Sequence, residues 1–215
     1  MATLLNPELY SITSLIGFAW TLLIVWLFVT PKGQALSSNP KLIPVAGIAL
    51  AIAVWIVTRE VDALAEQAGG ISPLDVHYAY GKADVLKFAE ALGDSGRLDY
   101  ARFQLGIDTL APPAFAGFLL TVFRSTLKAP LFRKILTVAA FTYFASVLLA
   151  NSLMPVIMLN YPVQQGPLLE GLYGLVPLLD WIKYSVHAFA WITIFIGWIA
   201  RLAAKKKVSA LSDGQ

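Results

Sequence analysis

The chain contains no cysteine. That excludes a disulfide framework, a thiolate metal site and a Cys nucleophile. It also excludes oxidoreductases that work through a Cys-x-x-Cys pair, and prenyl or palmitoyl anchoring. Charge is scarce as well. Only 13% of the 215 residues are Asp, Glu, Lys or Arg, where soluble domains carry about 25%. Histidine occurs twice, at His77 and His187, too few for a His-based metal centre, so no metal is expected. There is no His-Glu-x-x-His, no Gly-x-Ser-x-Gly and no phosphate-binding glycine loop. The net charge of +3 is too small to point to nucleic acid.

What is present is apolar. Hydrophobic residues make up 58% of the chain, and the mean hydropathy is +0.69. This is the composition of a membrane protein. A helix needs about 20 residues to cross about 30 Å of hydrocarbon. Five segments reach or approach that length, at about 10–30, 42–58, 104–123, 135–159 and 174–200. The N-terminal run lacks the basic region of a signal peptide, so it reads as a retained first span. Asp108 and the Pro112–Pro113 pair make the third span the least regular, with a kink expected there.

Basic residues give the orientation. Lys32, Lys41, Arg124, Lys128, Arg133, Lys134, Arg201 and Lys205–Lys207 all fall on one side of a five-span chain. The other side carries Arg59, Lys82, Lys87, Arg97 and Arg102, outnumbered by acids. The expected fold is an all-α integral membrane protein, a single domain over 1–215. Its five-helix bundle has the N-terminus out and the C-terminus in, with a bacterial inner membrane as the expected location. The 205–207 lysines set orientation and touch anionic headgroups.

The segment 59–103 is the one sizeable polar stretch, expected as a small helical cap over the outer mouth. Lys82–Leu92 reads as a short amphipathic helix with Val85, Phe88, Ala89 and Leu92 on one side. Gly93 is its natural stop, and Asp94 or Ser95 can cap a second helix that runs into the third span. Gly47-x-x-x-Ala51 and Ala49-x-x-x-Ala53 in the second span are small-residue packing signals. Of the six tryptophans, Trp55 and Trp181 fall near the outer interface, where aromatic belts form.

The last span carries Asp180, Lys183 and His187 on one face, within about 60° of each other at 100° per residue. Charges at that depth are costly and seldom accidental. At about 1.5 Å per residue, Asp108, Asn151, Asp180 and Lys183 all lie in the outer half of the membrane. His187 is deeper, near the midplane. These five residues form one candidate buried polar cluster. Three accounts apply: structural glue, a site for a ligand, cofactor or lipid headgroup, and a proton or ion pathway. His187 is also a conceivable ligand for a porphyrin or chlorophyll magnesium, as single histidines in spans are. No cofactor is specified. His77, in the run HYAY, reads as a surface residue.

The run Leu92-Gly93, Gly96-Arg97, Tyr100, then Asp108 and Pro112, resembles a loose group of uncharacterised small bacterial multi-span membrane proteins. That group carries an L-G-x-x-G-R-x-x-Y element ahead of a span with Asp and Pro four apart. The similarity covers about residues 45–200. Lys183-Tyr184 resembles the group's Lys-Trp pair. Asn151 matches an Asp-x-x-Glu-Asn element in which Val147 and Ala150 replace the acids. The resemblance implies a fold but no activity.

The function expected from these readings is non-enzymatic: an accessory or assembly subunit of a larger membrane complex, holding lipid or a hydrophobic cofactor. Its partners would be membrane lipid and other membrane subunits, and no nucleic acid. Two alternatives stand beside it. One is a small membrane enzyme acting on a lipophilic substrate with Asp180, Lys183 and Asp108 in acid–base roles. The other is a proton-coupled transporter or channel subunit.

Overall fold

The structure is a computed structural model. It describes residues 9–127, 129–162 and 166–212, with residues 200–212 described by backbone alone. Lys128 and the side chains of Lys205–Lys207 lie outside the described residues. The elements are α1 (Ile12–Val29), α2 (Pro31–Ser37), α3 (Ile43–Gln67), α4 (Lys82–Leu105), α5 (Ala111–Thr126), α6 (Pro130–Leu159) and α7 (Pro167–Ser212). No strand occurs among the described residues. Five helical stretches are long and apolar enough to cross a membrane: Ile12–Val29, Pro40–Gln67, Lys82–Thr126, Pro130–Leu159 and Pro167–Ile199. Their number and order agree with the hydropathy reading, but several boundaries do not.

The second span does not stop near 58. Helix α3 continues to Gln67, because no breaker intervenes before Gly69 and Gly70, which adopt φ of 65° and 90°. Leu64 on this extension, and Ala68 just past its end, are buried in the core. Helices α6 and α7 begin earlier than hydropathy suggests, at Pro130 and Pro167. Proline is favoured at the first helical position, where its missing N–H costs nothing. In α3 the small-residue pattern is only half used. Ala53 is buried, whereas Ala51 faces outward.

The segment 59–103 does not form a separate cap. It is packed into the bundle. Val85, Phe88, Ala89 and Leu92 form one buried face of α4, and Tyr100 and Phe103 continue it. They share a core with Met154, Ile157 and Met158 of α6 and Leu172 and Val176 of α7. The charges that make this segment look soluble, such as Lys87, Glu90 and Asp94, point outward.

Helix α4 is broken at Gly93, whose φ of 64° and ψ of −175° are not helical. An L side chain is strained at that φ, so glycine suits the break. The break frees carbonyls at the end of the first half-helix. The buried Arg97 answers one of them, its Nη1 donating to Ala89 O at 2.9 Å. Its other terminal nitrogen pairs with Asp94, and the guanidinium lies over the Tyr161 ring at 4.6 Å. The Leu92–Tyr100 element is therefore a local device that bends α4 and locks the bend.

The second half of α4 does not run on into α5. Gly106 takes φ −114° and ψ −94°, and a short 3₁₀ turn over 107–109 follows. Helix α5 then starts with Pro112 and Pro113 in its first turn. Its 16 residues span only about 24 Å at 1.5 Å per residue. Irregular backbone at this position is buried by protein. Gly106, Asp108 and Leu110 are all buried, and α1 presses Gly17 against Thr109 so closely that a Cβ there would overlap its hydroxyl.

Among the described residues the bundle holds two large cores and a small cluster of Ala53, Leu110 and Ala114. Of the large cores, one is the α4–α6–α7 core described above. The other joins Ile24 and Phe28 of α1, Phe115, Leu119 and Phe123 of α5, and Leu136, Tyr143 and Phe144 of α6. The broken turn at 106–110 lies where the two meet. Helix α6 passes through both, contributing Val147 to the second core and Ala150 to the first.

Candidate functional site

The polar residues gather at this joint in two linked groups. On α7, Lys183 Nζ lies 2.8 Å from Asp180 Oδ1. The i,i+3 spacing puts both on one helix face. Asp180 is 2% exposed, so its charge depends on this partner and on one more. Tyr80, from the loop before α4, donates its hydroxyl to Asp180 Oδ2 at 2.6 Å. Lys183 also donates to the backbone carbonyl of Asp75 at 2.8 Å, and Tyr184 donates to the same carbonyl at 2.6 Å. The Asp75 carboxylate accepts from Tyr100 of α4 at 3.0 Å.

The 71–81 loop is thus pinned to the membrane-length helices by the Asp75 carbonyl and by three tyrosines, Tyr80, Tyr100 and Tyr184. Burial pushes the Asp75 carboxyl above the usual carboxylate range. Lys183 opposes that shift and Asp180 adds to it. Burial, and then the negative charge of Asp180, push the Tyr80 phenol up as well. Tyr80 stays protonated and remains a donor.

In the second group, Asn151 Nδ2 donates to Asp108 Oδ2 at 2.7 Å, with both residues buried. This bond ties α6 to the broken turn ahead of α5. His187 stacks on Phe115, with ring centroids 4.4 Å apart and planes 8° from parallel. Its Nε2 accepts from Trp191 Nε1 at 2.7 Å. That nitrogen holds its lone pair toward an indole donor, so the ring is neutral with the proton on Nδ1. The same bond engages Nε2, one of the two ring nitrogens that could ligate a porphyrin or chlorophyll magnesium. His77 is exposed in the 71–81 loop.

Between the groups is a cavity of about 330 Å³. Asp75, Asp108, Lys183, Tyr184 and His187 line it, together with Thr58 and Tyr143. Val54, Val57 and Val61 of α3, Val76 of the loop, Ala111 and Pro112 of α5 and Val147 of α6 add apolar surface to the same lining. The three α3 valines follow helical spacing and make a stripe along that helix. Asp180 and Asn151 do not line the cavity. They lie behind its wall and hold Lys183 and Asp108 in place. No family model, curated protein or solved structure matches the chain. The site is therefore read from its own geometry. Among the described residues no three His, Asp or Glu side chains come together as a metal-ligand set.

Asp75, Tyr80 and Tyr100 are absent from the cluster read off the sequence. The available signal was the placement of Asp75 between Leu74 and Val76, directly after Pro73. An acid set in an apolar turn needs a partner. Nothing local names that partner, because Lys183 lies 108 residues away.

Proposed function

We propose that this chain is an integral membrane protein, N-terminus out and C-terminus in, that holds an amphiphile in the cavity between α3, α5, α6 and α7. It serves as an accessory or assembly subunit of a larger membrane complex and carries out no chemistry of its own. The observation behind this reading is the mixed lining of the cavity of about 330 Å³. Carboxylate, ammonium, phenol and imidazole groups share it with a valine stripe on α3. A lipid or a hydrophobic cofactor carries both kinds of surface. The volume falls in the range of about 300–1,000 Å³ usual for small-molecule sites. A helix broken beside a cavity is also how membrane proteins bring polar backbone to a bound ligand.

The state of the polar groups supports a holding role over catalysis. Lys183 is neutralised by Asp180 and bonded to the Asp75 carbonyl. Asp108 is bonded to Asn151. His187 is occupied by Trp191. Each of these groups thus has a fixed structural partner while it lines the cavity, which suits holding and orienting a bound polar group. The subunit role is supported by α1, α3 and α7, which expose large apolar side chains such as Phe18, Ile52 and Phe195. Helices of this kind suit lipid or partner contact.

The test is mass spectrometry of the full chain purified in mild detergent, read for bound small molecules and co-purifying chains. Wild type should retain an amphiphile in near-stoichiometric amount. Val57→Trp, which fills the cavity from α3, should lose it while keeping the same thermal transition. An unoccupied wild type, or full retention by V57W, overturns the reading. A monodisperse wild type with bound amphiphile and no co-purifying chain removes the subunit role and leaves the holding role.

A further inference from the structure

A second cavity lies at the opposite end of the bundle, where α1, α2, α5 and α6 meet. Its volume is about 450 Å³, and its lining includes Arg124, Arg133, Lys134, Gln34, Ser38 and Thr137. Every charged residue on that lining is a cation. The sequence contains no Asp or Glu between residues 9 and 59 or between 109 and 169. The segments that build this end therefore contain no anion.

The three cations are placed differently. Arg124 is half-buried and fixed. Its Nη1 donates to Leu27 O at 2.6 Å and to Ser37 Oγ at 2.8 Å, which joins the end of α5 to the ends of α1 and α2. Arg133 and Lys134 are exposed on the first turns of α6 and form no ion pair among the described residues. Gln34 is also held, donating from Nε2 to Phe28 O at 3.1 Å. The cavity thus has a rigid rear wall and two free cations at its mouth. Phe28, Pro130 and Val138 add apolar surface, so the lining is mixed.

We propose that this cavity binds a phosphate group, and that its source is the headgroup of an anionic membrane phospholipid. The chemistry of the lining selects an anion, because three cations converge with hydroxyl and amide groups beside them. Guanidinium and ammonium groups are the usual partners of phosphate oxygens. The lipid source is favoured over free phosphate by the apolar residues on the same lining. It is also favoured by position: the cavity opens at the ends of membrane-length helices, on the side where the basic loops collect. The proposal rests on the membrane placement given above, and it is independent of the amphiphile cavity near Lys183.

The experiment is a native mass spectrometry titration of the full chain in mild detergent, with short-chain phosphatidylglycerol, short-chain phosphatidylcholine and inorganic phosphate as separate probes. A basic residue at an anionic membrane surface contributes about fivefold in affinity. Wild type should prefer phosphatidylglycerol to phosphatidylcholine by at least tenfold. The double variant Arg133→Gln with Lys134→Gln should bind phosphatidylglycerol about thirtyfold more weakly. Both sites are exposed, and an unchanged thermal transition checks that the fold is kept. Lys32→Gln with Lys41→Gln, which removes two other cations of the same end, should leave the preference intact.

Equal binding of the two lipids by wild type overturns the proposal, as does a preference that survives in the Arg133/Lys134 variant. An equal loss in the Lys32/Lys41 variant shows diffuse surface charge and overturns the site. Saturable binding of inorganic phosphate without lipid preference overturns the lipid source. Val57→Trp tests the other cavity alone: loss of the retained amphiphile with an intact phosphatidylglycerol preference separates a failure of one site from a failure of the other.

Discussion

At the end of the bundle that carries the 71–81 loop and the starts of α4 and α7, cations sit against anions. Lys183 meets Asp180, Arg97 meets Asp94, Arg102 meets Asp99, and Lys82 meets Glu170. At the other end, Arg133 and Lys134 face outward with no carboxylate in the neighbouring sequence. Depth explains the inner pairs: Asp180 and Arg97 are under 8% exposed, and a buried charge needs a partner inside the protein. The Lys82–Glu170 and Arg102–Asp99 pairs are exposed and follow from the acids that this end carries in its sequence. An exposed cation at a helix end can take its partner from water or from a lipid headgroup. One end is therefore electrostatically closed, and the other is left open for something outside the chain.

The sharpest way to break this contrast is to remove one member of the closed pair. Lys183→Met leaves the Asp180 charge buried, and breaking a buried pair from one side costs about 3–5 kcal/mol. Unfolding in detergent, by heat or by a denaturing surfactant, should show a loss of that size. The double variant Asp180→Asn with Lys183→Met should recover most of it, since no uncompensated charge remains. If the double variant falls as far as the single one, the pair is not the coupled unit described here.

The next effect concerns the loop that closes this end. Tyr100→Phe removes the donor to the Asp75 carboxylate, and a hydrogen bond to a charged group contributes about 1.5–3 kcal/mol. The signature should be local: faster amide exchange across residues 71–81, with α1 and α5 unchanged. Exchange that stays slow in the loop would mean the Lys183 and Tyr184 bonds to the Asp75 carbonyl suffice on their own.

A smaller cost is expected at the bend of α4. Gly93 has φ +64°, and a Cβ added there meets nothing within 4 Å. Gly93→Ala therefore isolates backbone strain, roughly 1–3 kcal/mol for an L residue held at positive φ with extended ψ. Its thermal transition should drop modestly, with no change in retained amphiphile.

The smallest effect on stability belongs to the open end. Arg133→Gln with Lys134→Gln should change unfolding free energy by no more than about 0.5 kcal/mol. Those residues make no ion pair to lose, so a larger drop would show a structural use and would blur the contrast between the two ends.

The amphipathic face of Lys82–Leu92 and the stop at Gly93 are both legible from local pattern, since periodicity and a glycine break depend only on neighbours in sequence. The pairing of Asp180 with Lys183 is likewise suggested by i,i+3 spacing. The packing of α4 into the bundle is not legible. Its outward charges lower its hydropathy, and only the opposing surfaces of α6 and α7 reveal that its other face is covered. The roles of Asp75 and Tyr80 are hidden for the same kind of reason. Each depends on a partner about a hundred residues away. Trp191 reads as lipid contact or packing, yet it decides which nitrogen of His187 carries the proton.

By itself the sequence determined five helices of membrane-crossing length, the scarcity of charge within them, and the collection of ten Lys and Arg residues in two loops and a tail. Those cations are placed by position in the sequence alone, and all three features follow from composition and local periodicity, which act over a few residues. Tertiary structure alone decided that residues 59–103 join the core, that the break at 106–110 lies where two cores meet, and that Asp75 reaches Lys183. Each of these depends on which surfaces come together, and the free energy of burying a charge is set by that distant surface.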